Sequence, residues 1–343
     1  DVFQGERQVK TPTINTDGYQ QTPKAAAQRA QLIIGNYTPV FNKSTGTLRY
    51  SLNPVTNEIV FESNAQKIAD GLNLDTALPT DRQGKVVLDS DQLNGVELGA
   101  IKTSANQQIT VNGALKVADG GDITLFTPQA TINANLTAHA GSINAGNLFL
   151  QPDRERDMTV GDVYLRPSNG TPAWVKVADR VKLDTTGRWN NLAQDGVNNS
   201  GAAYMNGGNV SLRTTGDLNL AQGSVIDVSS GATVGLDAKF IGGKGGSVTL
   251  AAMDTLELGS ELRAYGVTGG GKLAVQARKV QIGDSATAPD ADTLHVSADF
   301  FKKGFSAYDI TGNEGLLITD GTQVDVTMPV YRQGERASTS PTG

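Results

Sequence analysis

The chain has 343 residues, 40 of them glycine, with 6% aromatic residues, no cysteine and a formal net charge of −6. A mildly acidic chain does not suit a phosphate backbone, so nucleic acid is not an expected partner. The missing cysteines exclude thiol catalysis and thiolate metal sites, and they suit either a reducing compartment or a chain exported unfolded.

The sequence opens on Asp1 and carries no signal peptide and no apolar run of membrane-spanning length, so we expect a processed chain or an interior segment of a longer one. Residues 1–30 are polar, contain prolines and read as an irregular lead-in. Residues 31–150 hold short alternating runs at 31–34, 48–52, 58–61, 85–88, 96–98, 109–111 and 115–117, each bounded by Gly, Asn or Pro. Residues 151–206 break the pattern, contain both tryptophans and read as a loop-rich insertion. Regular runs resume over 207–330, with a smaller insertion near 284–307 whose Phe300, Phe301 and Phe305 are expected to pack. Residues 331–343 read as a flexible tail.

A phrase recurs in the regular parts. "GGDITL" at 120–125, "GGNVSL" at 207–212 and "GGSVTL" at 245–250 share a Gly-Gly pair followed by a strand-sized run. Val210, Leu218 and Leu220 recur as Val248, Leu256 and Leu258, and Val248 recurs as Leu273. Each phrase is too short to bury a core by itself. Stacked in register, its strands pair with the equivalent strands of the next phrase and the inward Val, Leu and Ile form one stripe. The alternating Thr, Ser, Asn and Asp then make a wet outer face. The expected class is all-β: a right-handed parallel β-helix (solenoid) with loop-rich insertions, of about ten turns and roughly 50 Å. A β-sandwich accounts for the alternation but not for the recurring Gly-Gly phrase.

In order along the chain, "LDTTGRWNN" (183–191), "GGNVSLRTTGDLNLAQGSVIDVSSGA" (207–232), "GGSVTLAA…LRAYGVTGGGKLAVQA" (245–277) and "DFFKKGFSAYDITGNEGLLITDGTQV" (299–324) resemble the large filamentous-haemagglutinin-like exoproteins of Gram-negative bacteria. The resemblance covers about 85–330 and implies a secreted, cell-surface adhesin shaft. It also implies export through the outer-membrane transporter of a two-partner system, with roles in attachment, aggregation or biofilm. Its partners would be polysaccharide or cell-surface glycans and the neighbouring β-helix coils of a longer parent chain. The asparagine-rich motifs of that family's secretion domain are not evident.

Little in the sequence points to catalysis, and no cofactor or metal motif occurs. His139 and His295 follow or alternate within strands and read as exposed structural residues. Asp89 with Asp91, and Asp290 with Asp292, are the carboxylate pairs that a polysaccharide-processing β-helix enzyme would use, yet they lie in turn-like surroundings that favour capping. Trp174, Trp189, Tyr164 and Tyr204 are the candidate glycan contacts, because aromatic faces are apolar platforms with polar rims. Their competing role is to seal the insertion onto the strands, which is the commoner fate of large rings. Three readings stay open: an adhesin shaft, a lyase or glycosidase resembling a tailspike depolymerase, and a pure stalk for a tip or toxin elsewhere.

Overall fold

The computed structural model describes residues 29–35, 37–42, 47–52, 56–66, 75–149, 163–165, 167, 170–191, 203–235, 239–284 and 290–331. Within them the chain is all-β and dominated by three parallel sheets. The first sheet has nine strands. Its order runs Gln31–Ile34, Ala100–Ser104, Asp122–Phe126, Ser142–Gly146, Asn209–Thr214, Ser247–Ala252 and Gly271–Ile282. Thr293–Val296 and Phe305–Ile318 both pair with Gly271–Ile282. The second sheet, of seven strands, runs from Lys85–Asp89 through Glu58–Glu62, Gln108–Val111, Gln129–Ile132, Trp174–Val177 and Asp217–Leu220 to Leu256–Leu258. The third, of five, runs Leu115–Lys116, Leu136–Thr137, Lys182–Asp184, Val225–Asp227 and Glu261–Arg263.

From Ala100 to Arg263 the chain visits the first, second and third sheets in that order, repeatedly. Parallel pairing of this kind is incompatible with a hairpin-built sandwich, whose sheets are antiparallel. The register makes columns of inward side chains. Ile101, Ile123, Ile143, Val210, Val248 and Leu273 stack in the first sheet, and Ile109, Ala130, Val175, Leu218 and Leu256 in the second. Leu115, Leu136, Leu183, Ile226 and Leu262 do so in the third. All of these belong to one buried cluster.

The Gly-Gly phrases have a steric cause. The second glycine of each pair lies in a column of its own, just before the first sheet. A Cβ on Gly141, Gly208, Gly246 or Gly271 would overlap the carbonyl oxygen of the glycine one layer below, namely Gly121, Gly141, Gly208 and Gly246 in turn. Successive layers approach too closely there for any side chain.

Several expectations are corrected. Strands Trp174–Val177 and Lys182–Asp184 pair on both sides, and Asn190–Asn191 joins Ala232–Val234, so the middle of 151–206 is woven into the sheets. Loops flank these strands and dilute their alternation in the sequence. Residues 96–98 form no strand. They follow the helix Ser90–Gly95, whose N-terminal amides are capped by the Asp89 carboxylate. Phe300, Phe301 and Phe305 pack as expected: they are buried and join the common core. Tyr331, at the start of the expected tail, is docked by ring contacts. Two antiparallel pairs, Tyr37–Asn42 with Thr47–Leu52 and Leu148–Phe149 with Val163–Tyr164, use chain without adding layers. Among the described residues the first sheet is accordingly eight layers deep and Lys85–Asp89 of the second sheet adds a ninth, about 38 Å at the usual strand spacing rather than roughly 50 Å.

Candidate functional site

The third sheet presents a grouping of polar and aromatic side chains. Because its leucines and Ile226 point inward, the next position on each strand points outward, which gives the in-register column Lys116, Thr137, Asp184, Asp227 and Arg263. Asp184 and Asp227 are one layer apart and would repel. Lys182 lies between them, with Nζ 2.8 Å from Asp184 Oδ2 and 3.5 Å from Asp227 Oδ2. Asp184 Oδ1 also accepts the Thr186 amide at 3.0 Å and its hydroxyl at 2.7 Å. Burial alone would raise the Asp184 pKa, but these donors outweigh it and hold the carboxyl below its usual 3.8. Burial likewise opposes the charge on Lys182, and the two carboxylates override it and raise its pKa.

His139 adjoins this ladder, with Nδ1 3.1 Å from Thr186 Oγ1 and 3.7 Å from Asp184 Oδ1. Its side chain is 17% exposed, which corrects the expectation of an exposed residue. Burial, joined by the Arg188 charge, pulls its pKa below 6.5 despite Asp184 nearby.

Acidification therefore destabilises the fold in two windows. As pH falls through 6.5, the unfolded chain binds a proton that the folded His139 resists. As pH falls below 3.8, the unfolded Asp184 takes up a proton before the folded one does. Thermal melts should show both losses, and His139→Gln should flatten the one between about pH 7 and pH 5 while leaving the other.

Beside the ladder stands a row of three rings. The parallel hydrogen bonding continues past the strands, with Gly187 N–H donating to Ser229 O at 2.8 Å and Ser230 N–H to Tyr265 O at 2.7 Å. This places Tyr265 one layer beyond Ser229 and brings Trp189 to the same corner. Tyr331 lies between the two rings, 5.6 Å from Trp189 and 5.9 Å from Tyr265 between centroids, edge-on to both. Trp189 is 45% exposed and Tyr331 37%. Burial raises the Tyr331 phenol pKa, partly offset by a hydrogen bond with Ser229.

The four sequence-derived candidates do not converge. Trp174 lies on the second sheet, half-buried, with Nε1 donating to Thr131 Oγ1 at 3.3 Å and Lys176 Nζ 4.4 Å from its ring centroid. Tyr204 is half-buried with its ring over Gly120, and its carbonyl accepts the Arg188 amide at 2.7 Å. Tyr164 pairs with Leu148 through its backbone, and its side chain lies outside the described residues. Trp189 alone is an exposed ring in a row, and its companions Tyr265 and Tyr331 were missed. One signal was available for Tyr265, which aligns with His139 in the repeat.

The aspartate pairs are engaged structurally. Asp89 caps the helix, and Asp91 accepts the Ser63 hydroxyl at 2.5 Å and the Asn64 amide at 3.1 Å. Asp290 and Asp292 both bind Lys279, at 3.3 and 3.4 Å, and Asp292 also faces Arg278 at 3.6 Å. Among the described residues no group of three or more His, Asp or Glu is placed to hold a metal ion, and no helix is long and apolar enough to cross a membrane. Comparison with known proteins adds no relative: no family model, curated protein or solved structure matches the chain.

Proposed function

We propose that this chain is a right-handed parallel β-helix serving as a non-enzymatic shaft segment of a secreted bacterial adhesin. In this reading it contacts polysaccharide or cell-surface glycans during attachment, aggregation or biofilm contact. The solenoid reading is supported by the fixed order in which the chain visits three parallel sheets and by the columns that join its layers. The functional reading is carried by one observation, the row Trp189–Tyr331–Tyr265 held open on a rigid face beside ordered charged groups. Two χ angles per ring cost little entropy when such a platform meets a sugar face.

The resemblance contributes export through an outer-membrane transporter and residence at the cell surface. Continuation by neighbouring coils is supported by the final strand, Phe305–Ile318, where Leu316, Leu317 and Ile318 are 43%, 56% and 54% exposed. The enzyme reading is disfavoured because both carboxylate pairs already serve as caps or ion-pair partners.

The test is a panel of bacterial and host polysaccharides, followed for capture and for reducing-end release together. Capture without cleavage is expected, weakened about tenfold by Trp189→Ala, since loss of one stacked ring removes roughly 1–2 kcal/mol. Release of reducing ends, or capture indifferent to Trp189→Ala, would contradict the reading.

A further inference from the structure

A second grouping lies apart from the aromatic row, where the sheets end. Leu256–Leu258 is the last strand of the second sheet, and Thr293–Val296 pairs on one side only, with Lys279–Ile282. Among the described residues no strand pairs with the open edge of either. Between them lies a pocket of about 240 Å³, lined by Leu258, Ser260, His295, Val296, Ser297, Asp299, Phe300 and Lys303. Main-chain polar groups on an open strand edge need water or a ligand as partner.

The lining has a definite chemistry. In the strand Thr293–Val296, Leu294 and Val296 are buried and His295 is exposed. The chain then turns at Ser297 into the short 3-10 helix Ala298–Lys302, which buries Phe300 and leaves Asp299 exposed, and His295, Ser297 and Asp299 all line the pocket. Val296, Phe300 and Leu258 supply an apolar floor, Lys303 completes a polar rim, and the Ser260 hydroxyl, buried below, is bonded to that of Ser224. His295 Nε2 lies 2.6 Å from the Gly283 carbonyl oxygen. A carbonyl only accepts, so Nε2 carries a proton and donates to it. Asp299 is an acceptor paired with Lys302, Lys303 donates, and the Ser297 hydroxyl does both. A rim with one carboxylate and one ammonium favours neither a simple anion nor a simple cation. A neutral polyol presents donors and acceptors together on a ring with an apolar face, and it meets both the rim and the floor.

We propose that this pocket is a binding site for a single neutral sugar unit, separate from the aromatic row. Its ring would lie on Phe300 and Leu258, with hydroxyls reaching His295, Ser297, Asp299 and Lys303. The ligand class is shared with the proposed function, but the site and its test are independent of Trp189.

Saturation-transfer NMR with the methyl glycosides of glucose, galactose, mannose and N-acetylglucosamine, each at millimolar concentration, tests it on the whole chain. Wild type should show transfer from at least one glycoside. In Trp189→Ala, which removes the row, transfer should persist, and adding His295→Ala/Ser297→Ala to that variant should weaken it about tenfold, as expected for two lost hydrogen bonds. Unchanged circular dichroism of that variant shows that the fold is kept. If it is not kept, His295→Gln, which retains the outward polar position, should give an intermediate loss. Absence of transfer to wild type, transfer indifferent to the pocket variants, or displacement of the sugar by inorganic phosphate would each overturn the proposal. Loss of polysaccharide capture in Trp189→Ala with glycoside transfer intact would leave both sites standing as separate. Retained capture there would count against the row alone.

Discussion

Gly246→Ala is expected to lower stability by about 3 kcal/mol, read as an earlier midpoint in urea. The residue is not in a left-handed conformation, so the effect is purely steric: the added methyl would overlap the Gly208 carbonyl oxygen. That carbonyl accepts the Ser247 amide at 3.1 Å, while Gly246 donates to Val228 O at 2.7 Å and accepts from Lys272 at 3.1 Å. The backbone cannot retreat without breaking bonds to the layers on both sides. Gly95→Ala is the control. A Cβ there meets nothing within 4 Å, and the helical position should tolerate or slightly prefer alanine. Equal behaviour of the two variants would remove the glycine column as the cause of the repeated Gly-Gly phrase.

Leu183→Ala carries the second large effect, about 2–5 kcal/mol. Leu183 is 0% exposed and sits in register between Leu136 and Ile226. Its neighbours are held by strand pairing and can collapse only partly into the space, so lost transfer energy and a residual cavity both count. If residues 174–191 were a peripheral loop, the same change would shift stability by no more than about 0.5 kcal/mol. Urea denaturation of the variant decides between the two.

The recurrence of Val210, Leu218 and Leu220 at Val248, Leu256 and Leu258 was legible because stacking repeats the same inward positions, and these residues are direct register partners. The further step from Val248 to Leu273 is also a register pair. Hydrophobic alternation survives insertions of variable length as long as each layer restarts at a glycine. Trp174–Val177 and Lys182–Asp184 belong to the layer that restarts at Gly141, but more than twenty-five residues separate them from its first-sheet strand Ser142–Gly146, so their place in the sheets did not show.

The site was legible only in part. Trp189 could be singled out as a large ring in a polar context, but Tyr331 reaches it from the far end of the chain, and no local pattern encodes such a meeting. The ion ladder was hidden for a related reason. Lys182, Asp184 and Asp227 look like ordinary outward strand residues, and stacking alone brings the two carboxylates one layer apart with the ammonium between them. The aspartate pairs were read as caps or solvated corners, and Asp89 is indeed a helix cap.

The central claim is that equivalent positions rise one strand spacing per layer along a single stack. Lys102, Thr124, Asn144, Ser211, Thr249, Ala274 and Asp309 form one outward column through consecutive register pairs. The chain has no cysteine, so pairs of nitroxide labels can be placed cleanly at Lys102 and, in turn, Thr249, Ala274 or Asp309. Pulsed dipolar spectroscopy should give backbone separations near ~19, ~24 and ~29 Å, rising by about 5 Å for each layer. Separations that stay level, or that fall between Thr249 and Asp309, would contradict a stacked parallel architecture and the proposal built on it.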